Sequence, residues 1–121
     1  MDFDFERLEV YSKALDFADT VYNITEEFPE RENYGLTSQL RRAAVSISLN
    51  LAEGVGRDTK ADRRRFYIMA RGSLFECIPL IEISSRRKMF SQETRSGLRS
   101  RCVELGKMIS GLIRSLKDLQ R

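Results

Sequence analysis

The chain contains no histidine and no tryptophan, only two cysteines and two prolines among 121 residues, and no long apolar run. Without histidine there is no Ser-His-Asp or Cys-His catalysis, no histidine-ligated metal, and no Glu-x-x-His ligand set of the kind that builds di-iron bundles. Cys77 and Cys102 have no partner two residues away, so zinc and dithiol redox motifs lack their ligands. Both sit inside apolar helical patterns and read as buried, reduced thiols of a cytoplasmic protein. No apolar stretch nears the ~18 residues of a membrane span, and the opening Met1-Asp-Phe-Asp-Phe-Glu6 is acidic where a signal peptide is basic and then apolar. No membrane association and no cofactor are expected, and the common enzyme classes are disfavoured.

The residues present are 41% hydrophobic and 32% charged, enough for one domain, residues 1–121, to bury roughly two thirds of its unfolded surface. Net charge is only +3, but it is polarised. Residues 1–33 hold ten acids and three bases, and the remainder holds eighteen bases and eight acids. Sixteen of the 21 bases are arginine, the side chain best suited to phosphate and to interface ion pairs. Nucleic acid or the acidic helix of a neighbouring copy would each satisfy that polarity.

Pro29 to Gly35, Gly54-Val-Gly56-Arg-Asp58 and Met89-Phe-Ser91 divide the chain into four segments with apolar residues at helical spacing. Helices are expected at about 5–28, 36–54, 59–88 and 91–119, with Thr59 and Ser91 as N-caps. The fold class is all-α, an antiparallel up-down-up-down four-helix bundle. In the last helix Leu98, Cys102, Leu105, Ile109, Leu112, Leu116 and Leu119 form a heptad seam. The first helix carries two seams, Val10-Ala14-Phe17-Val21-Ile24-Phe28 and Leu8-Tyr11-Leu15-Ala18-Tyr22. In the second, Leu36, Leu40, Ala44, Ile47 and Leu51 face the core while Val45 and Leu49 point away. In the third, Tyr67, Ala70, Leu74, Cys77 and Ile81 share a face, with Ile68, Phe75 and Ile83 on the far side. Helices apolar on two sides have two things to bury against, so Val45, Leu49, Ile68, Phe75 and Ile83 are candidates for an oligomer interface. Pro79 lies inside the third pattern and predicts a kink there. Gly54-Val-Gly56 lacks the preceding strand and the Lys-Ser/Thr end of a phosphate loop and reads as a helix C-cap and turn.

Three polar groupings stand out. Gln39, Arg42, Ser46, Asn50, Glu53 and Arg57 form a stripe on the second helix, placed to reach Arg71, Ser73 or Glu76 of the third. It reads either as a binding network or as a stripe that pins the bundle, with Glu53 balancing Arg42 or Arg57. Its two glutamates make a poor metal site. The run Arg57, Lys60, Arg63, Arg64, Arg65 and the outer face Arg99, Lys107, Arg114, Lys117, Arg121 are candidate nucleic-acid-binding residues, or else ordinary solvated faces.

Phe5 to Ala14, Phe28-Pro29, Tyr34-Gly-Leu-Thr-Ser-Gln-Leu-Arg-Arg-Ala43, Ser46-Ile-Ser-Leu-Asn-Leu-Ala-Glu-Gly54 with Arg57, and Phe66 to Glu76 resemble the four helix bundle protein family. That family is also called the 23S rRNA-intervening-sequence or S23 protein family. The resemblance covers residues 5–77 closely and the last helix by pattern. It implies a left-handed bacterial bundle assembling as a homopentamer. It is also similar to the accessory variability protein of diversity-generating retroelements, which implies RNA or DNA and a reverse transcriptase as partners. By position, Gln39, Arg42, Asn50, Glu53, Arg57, Arg71, Ser73 and Glu76 are the polar residues of the family pattern, and no catalytic role comes with them. Pro79 departs from that pattern.

Overall fold

The computed structural model describes residues 3–116. They form four helices, α1 (Glu9–Thr25), α2 (Leu36–Val55), α3 (Lys60–Arg86) and α4 (Gln92–Ser115), with short 3-10 turns at Asp4–Arg7 and Glu30–Glu32 and no strand among the described residues. Each helix runs against the next. Arg41 of α2 meets Tyr22 and Thr25 at the end of α1, Ser46 of α2 meets Ser73 of α3, and Arg99 of α4 meets Glu82 of α3. Lys13 of α1 reaches Glu104 of α4 at 3.3 Å and closes the circle.

The helix starts follow from local chemistry. Thr59 and Ser91 are extended, and their hydroxyls accept the amides of Asp62 and Thr94 at 3.1 Å, satisfying donors that the first turn leaves free. Asp62 and Glu93 then sit where the helix dipole favours negative charge. The α3–α4 turn closes through two 2.9 Å bonds, from the Lys88 amide to the Ser85 carbonyl and from the Met89 amide to the Ser84 carbonyl. That pattern requires a left-handed residue, and Lys88 supplies it at φ 61°.

The first helix is shorter than the expected 5–28. Leu8 is extended (φ −74°, ψ 123°) and breaks the pattern. Ahead of it the Glu6 carboxylate folds back onto the Phe3 amide at 2.8 Å, and Phe5 turns edge-on to Tyr11 with ring centroids 5.1 Å apart. At the other end the Thr25 hydroxyl donates to the Val21 carbonyl at 2.7 Å, and Pro29 follows with no amide to give. Phe28 therefore leaves the helix and is buried near Phe90 of the α3–α4 turn. The last helix ends at Ser115; residues 117–119 of the expected span lie outside the described ones. α3 runs through Pro79 from Lys60 to Arg86, so Leu80 to Ile83 are helical. Pro79 is exposed, on the side where water can serve the carbonyl it leaves without a donor.

The core is built from the predicted faces: Phe17 and Val21 of α1, Leu40, Ile47 and Leu51 of α2, Leu74 and Ile81 of α3, and Leu98, Leu105 and Ile109 of α4 are fully enclosed. The α4 seam drifts at its end, where Ile113 is buried while Leu112 and Leu116 are only half-buried. A 3.6-residue helix moves about 20° per heptad against a strict 3.5 repeat, enough to carry the next residue into the seam. The second seam of α1 is divided, with Ala18 buried, Leu8 and Tyr11 half-buried, and Leu15 and Tyr22 exposed. Of the Gly54-Val-Gly56 turn, Gly56 is the C-cap of α2 as expected, and Gly54 lies within the helix. A Cβ there would stand 2.6 Å from the Tyr67 ring, so glycine is what lets α2 and α3 approach. No helix of the described residues is long and apolar enough to cross a membrane.

Candidate nucleic-acid and assembly surfaces

The polar stripe of α2 lies along its furrow with α3. Ser46 Oγ and Ser73 Oγ are 2.9 Å apart, and Asn50 Nδ2 donates to the Ser46 carbonyl at 2.9 Å and to its hydroxyl at 3.1 Å. Glu53 is balanced by Arg57, one turn on, and Gln39 and Arg42 are exposed. Of the three α3 residues expected to join the stripe, only Ser73 does. Arg71 lies on the other flank of α3 and donates to Ser110 of α4 at 3.4 Å, and Glu76 is exposed. Among the described residues no three carboxylates, thiols or imidazoles come together as metal ligands.

The basic run at the start of α3 is largely engaged by neighbouring groups. Arg57 pairs with Glu53, lies 3.9 Å from Asp62 and stacks 4.4 Å above the Phe66 ring. Arg65 pairs with Asp62 at 3.0 Å and covers the same ring at 4.7 Å. Arg63 Nε donates to the Arg57 carbonyl at 2.9 Å. Arg64 has its Nε enclosed without a partner, and Lys60 is exposed. The residues expected to face phosphate together are thus mostly holding the α2–α3 connection in place.

On α4, Arg99 is also engaged. With Arg95 it clamps Glu82, at 2.8 Å and 3.0 Å. The hydrogen bond from Arg95 is the largest influence on the Glu82 carboxyl; burial, next in size, opposes it, and the Arg99 hydrogen bond with the two guanidinium charges leaves the group below the usual carboxylate range. Lys107 and Arg114 are exposed and form no ion pair among the described residues; Lys117 and Arg121 lie outside those residues. The expected α4 face therefore keeps two of its bases free. Arg101, exposed on α4, is a further free base among the described residues that pattern does not single out, and so are Arg86, Arg87 and Lys88, all exposed at the end of α3. The signal of these last three in the sequence is three consecutive bases whose single near acid, Glu82, is claimed from another helix.

Burial raises both thiols, Cys77 well above its ordinary value and Cys102 to about 11, the latter eased by the Arg99 charge. Neither is a nucleophile at neutral pH.

Among the candidate interface residues, Leu49 and Phe75 are each 60% exposed, Ile68 and Ile83 are exposed, and Val45 is half-buried. On α3, Ile68, Gly72, Phe75, Pro79 and Ile83 fall at helical spacing along one outward strip. Exposed Met69 flanks it and was not anticipated.

The fold and these surfaces define an all-α four-helix bundle whose chemistry-bearing groups are hydroxyls, amides and guanidinium groups on its outside. The family described as 23S rRNA-intervening sequence protein matches residues 6–111, and the chain belongs to it. The structure is similar to that of a protein of unknown function from the S23 ribosomal protein family of Bacteroides thetaiotaomicron, with 22% identity, 86% of this chain and 97% of that chain covered, and a TM-score of 0.80. At that identity the likeness is one of fold. No curated protein matches the chain.

Proposed function

We propose that the protein is a non-enzymatic, self-assembling cytoplasmic bundle that binds nucleic acid electrostatically, each copy adding free bases to a multivalent surface. The observation that carries this reading is an imbalance. From Lys60 to Arg114 there are thirteen bases against five acids, and Lys60, Arg86, Arg87, Lys88, Arg101, Lys107 and Arg114 form no ion pair among the described residues. Few phosphate contacts per copy give weak binding, and assembly multiplies it. The apolar strip of α3 supports the assembly, and the family resemblance supports five subunits and a partner in a reverse transcriptase or an rRNA-related process.

The test is a fluorescence-anisotropy titration with structured RNA, duplex DNA and an RNA–DNA hybrid at about 50 and 200 mM salt, an interval over which several phosphate contacts weaken binding strongly. Wild type is expected to lose affinity with salt. Lys107→Glu/Arg114→Glu is expected to flatten the salt slope by roughly 0.9 for each phosphate that is no longer neutralised. Affinity that ignores salt would sink the reading.

A second reading, a protein scaffold with no nucleic-acid role, draws on the engagement of Arg57, Arg63 and Arg65 by neighbouring groups and on the exposed Leu49 and Phe75. It predicts that Leu49→Glu or Phe75→Glu lowers the oligomeric mass with helicity kept, while no nucleic acid binds at either salt.

A further inference from the structure

We infer that the first turn of α2 and the concavity beside it form a binding site for a phosphomonoester with an organic body, separate from the basic surfaces above. The concavity has a volume of about 660 Å³ and lies where α2 meets the end of α1, within the size range of small-ligand sites. Among the described residues no carboxylate lines it. Its polar lining comes from Asn33, Thr37, Ser38, Arg41, Arg42, Ser46 and the Tyr22 phenol, and Val45 and Leu49 give it an apolar wall.

Three independent features point to an anion there. The first is Arg41, which is held before any ligand arrives. Its Nε donates to Thr25 Oγ1 at 2.8 Å, one terminal nitrogen lies 3.4 Å from the Tyr22 carbonyl, and its plane sits 4.5 Å over the Tyr22 ring. It forms no ion pair among the described residues, so a guanidinium with spare donors is fixed at the edge of the concavity.

The second feature is the helix start. Gly35 has no side chain to cap α2. Glu32 takes the Leu36 amide at 3.2 Å, and the Gly35 carbonyl takes the Gln39 amide at 3.0 Å. The amides of Thr37 and Ser38 are left to point out of the positive end of a twenty-residue helix.

The third is Thr37 itself. It is 5% exposed, it lines the concavity, and its hydroxyl has no hydrogen-bond partner. A buried hydroxyl without a partner costs stability; turned about its χ1 toward the concavity that Thr37 lines, it would gain the missing bond from an acceptor seated there.

The unpartnered Thr37 hydroxyl, the free amides of the first turn and the spare guanidinium donors of Arg41, all at one concavity, suit an oxyanion with several acceptors, and Arg42 at the rim adds a second positive charge. The concavity is much larger than the ion alone needs, and its Val45–Leu49 wall suits a ring or chain attached to it. A free mononucleotide and the 5′ end of a strand both carry this chemistry.

The experiment is thermal unfolding and calorimetric titration at matched ionic strength with adenosine monophosphate, adenosine, inorganic phosphate, and a short oligonucleotide with and without a 5′-phosphate. Adenosine monophosphate is expected to raise Tm, and adenosine is expected to leave it unchanged. Arg42→Gln should weaken the nucleotide by about tenfold, the loss of one charged hydrogen bond. Thr37→Val should unfold at the same or a higher temperature when free, yet lose most of the response. Lys107→Glu/Arg114→Glu should keep the full response while losing binding to long nucleic acid, so the two proposals fail separately. A strand that responds only with its 5′-phosphate identifies strand ends as the source; no such difference assigns free nucleotides. The inference is overturned if no probe acts beyond matched chloride, if inorganic phosphate acts as strongly as the nucleotide, or if Thr37→Val and Arg42→Gln respond like wild type.

Discussion

The two ends of α3 carry the densest basic stretches in the chain, and the fold treats them in opposite ways. At its entry, five bases from Arg57 to Arg65 are interleaved with Asp58 and Asp62 and follow Glu53. Spacings of three and four residues bring these acids onto the same helical faces, and the Phe66 ring collects two of the guanidinium groups. At its exit, Arg86, Arg87 and Lys88 pair with no acid among the described residues, because Glu82, one turn back from Arg86, is clamped by Arg95 and Arg99. Those three bases suit the negative end of the helix and stay in water. Density of charge along a sequence is therefore a poor guide to free charge on the surface. What matters is whether acids recur at helical spacing and whether a neighbouring helix takes them first.

The sharpest way to break that comparison is to remove charge at each end and measure binding. Arg86→Gln/Arg87→Gln is expected to cost roughly tenfold in affinity for duplex or structured RNA at about 50 mM salt, where backbone contacts dominate. Arg63→Gln/Arg65→Gln, with the same number of arginines removed, should change affinity by less than about twofold, because those groups are already engaged. A larger loss from the second pair would mean the entry, not the exit, faces the phosphates.

Stability should respond in the reverse order. Arg57→Ala removes a cation–ring stack and two carboxylate partners at a half-exposed site, and is expected to cost about 1 kcal/mol in urea unfolding. Arg86→Ala should cost less, since only its interaction with the helix dipole disappears. Equal costs would show that the entry pairs contribute nothing net.

Glu82 sharpens the exit side through pH. Its carboxyl is held below the usual range by Arg95 and Arg99. The stability it contributes is thus full above the ordinary glutamate pKa, about 4.3, and is lost as pH falls through its lowered folded value. Glu82→Gln is expected to lie below wild type in Tm at pH 7, with the gap closing as the pH drops below about 4. A gap that persists after protonation would assign the effect to packing.

The four helices and most of the core were legible from apolar spacing because burial repeats at the helical period. Leu40, Ile47, Leu74 and Leu105 needed nothing more. Spacing failed where the outcome turned on how elements meet. The break at Leu8 depends on Phe5 reaching Tyr11, and the role of Gly54 depends on the Tyr67 ring lying 2.6 Å from its missing Cβ. Ile113 displaced Leu112 through helical drift alone, which arithmetic on the period could have shown. The polar candidates were less legible still. A stripe locates a side chain on a face to within one flank, and one flank decides whether Arg71 meets Ser73 or Ser110. The concavity beside Thr37 could not be read at all, because it is made by the end of α1 meeting the start of α2.

The smallest expected effect lies in the turn that presents the exit bases. Lys88 adopts φ 61°, a left-handed conformation that costs a side-chain-bearing residue roughly 1–2 kcal/mol and glycine almost nothing. Against that relief stands the greater freedom that glycine brings to the unfolded chain, so Lys88→Gly is expected to stabilise the protein by about 0.5–1 kcal/mol and to raise Tm by a few degrees. The same change removes one of the three free exit bases. If these act as phosphate contacts, the variant melts higher and yet binds nucleic acid with a salt slope shallower by roughly 0.9. A variant that melts higher with the slope unchanged would leave Lys88 as a strained turn residue only, and would shift the exit contacts to Arg86 and Arg87.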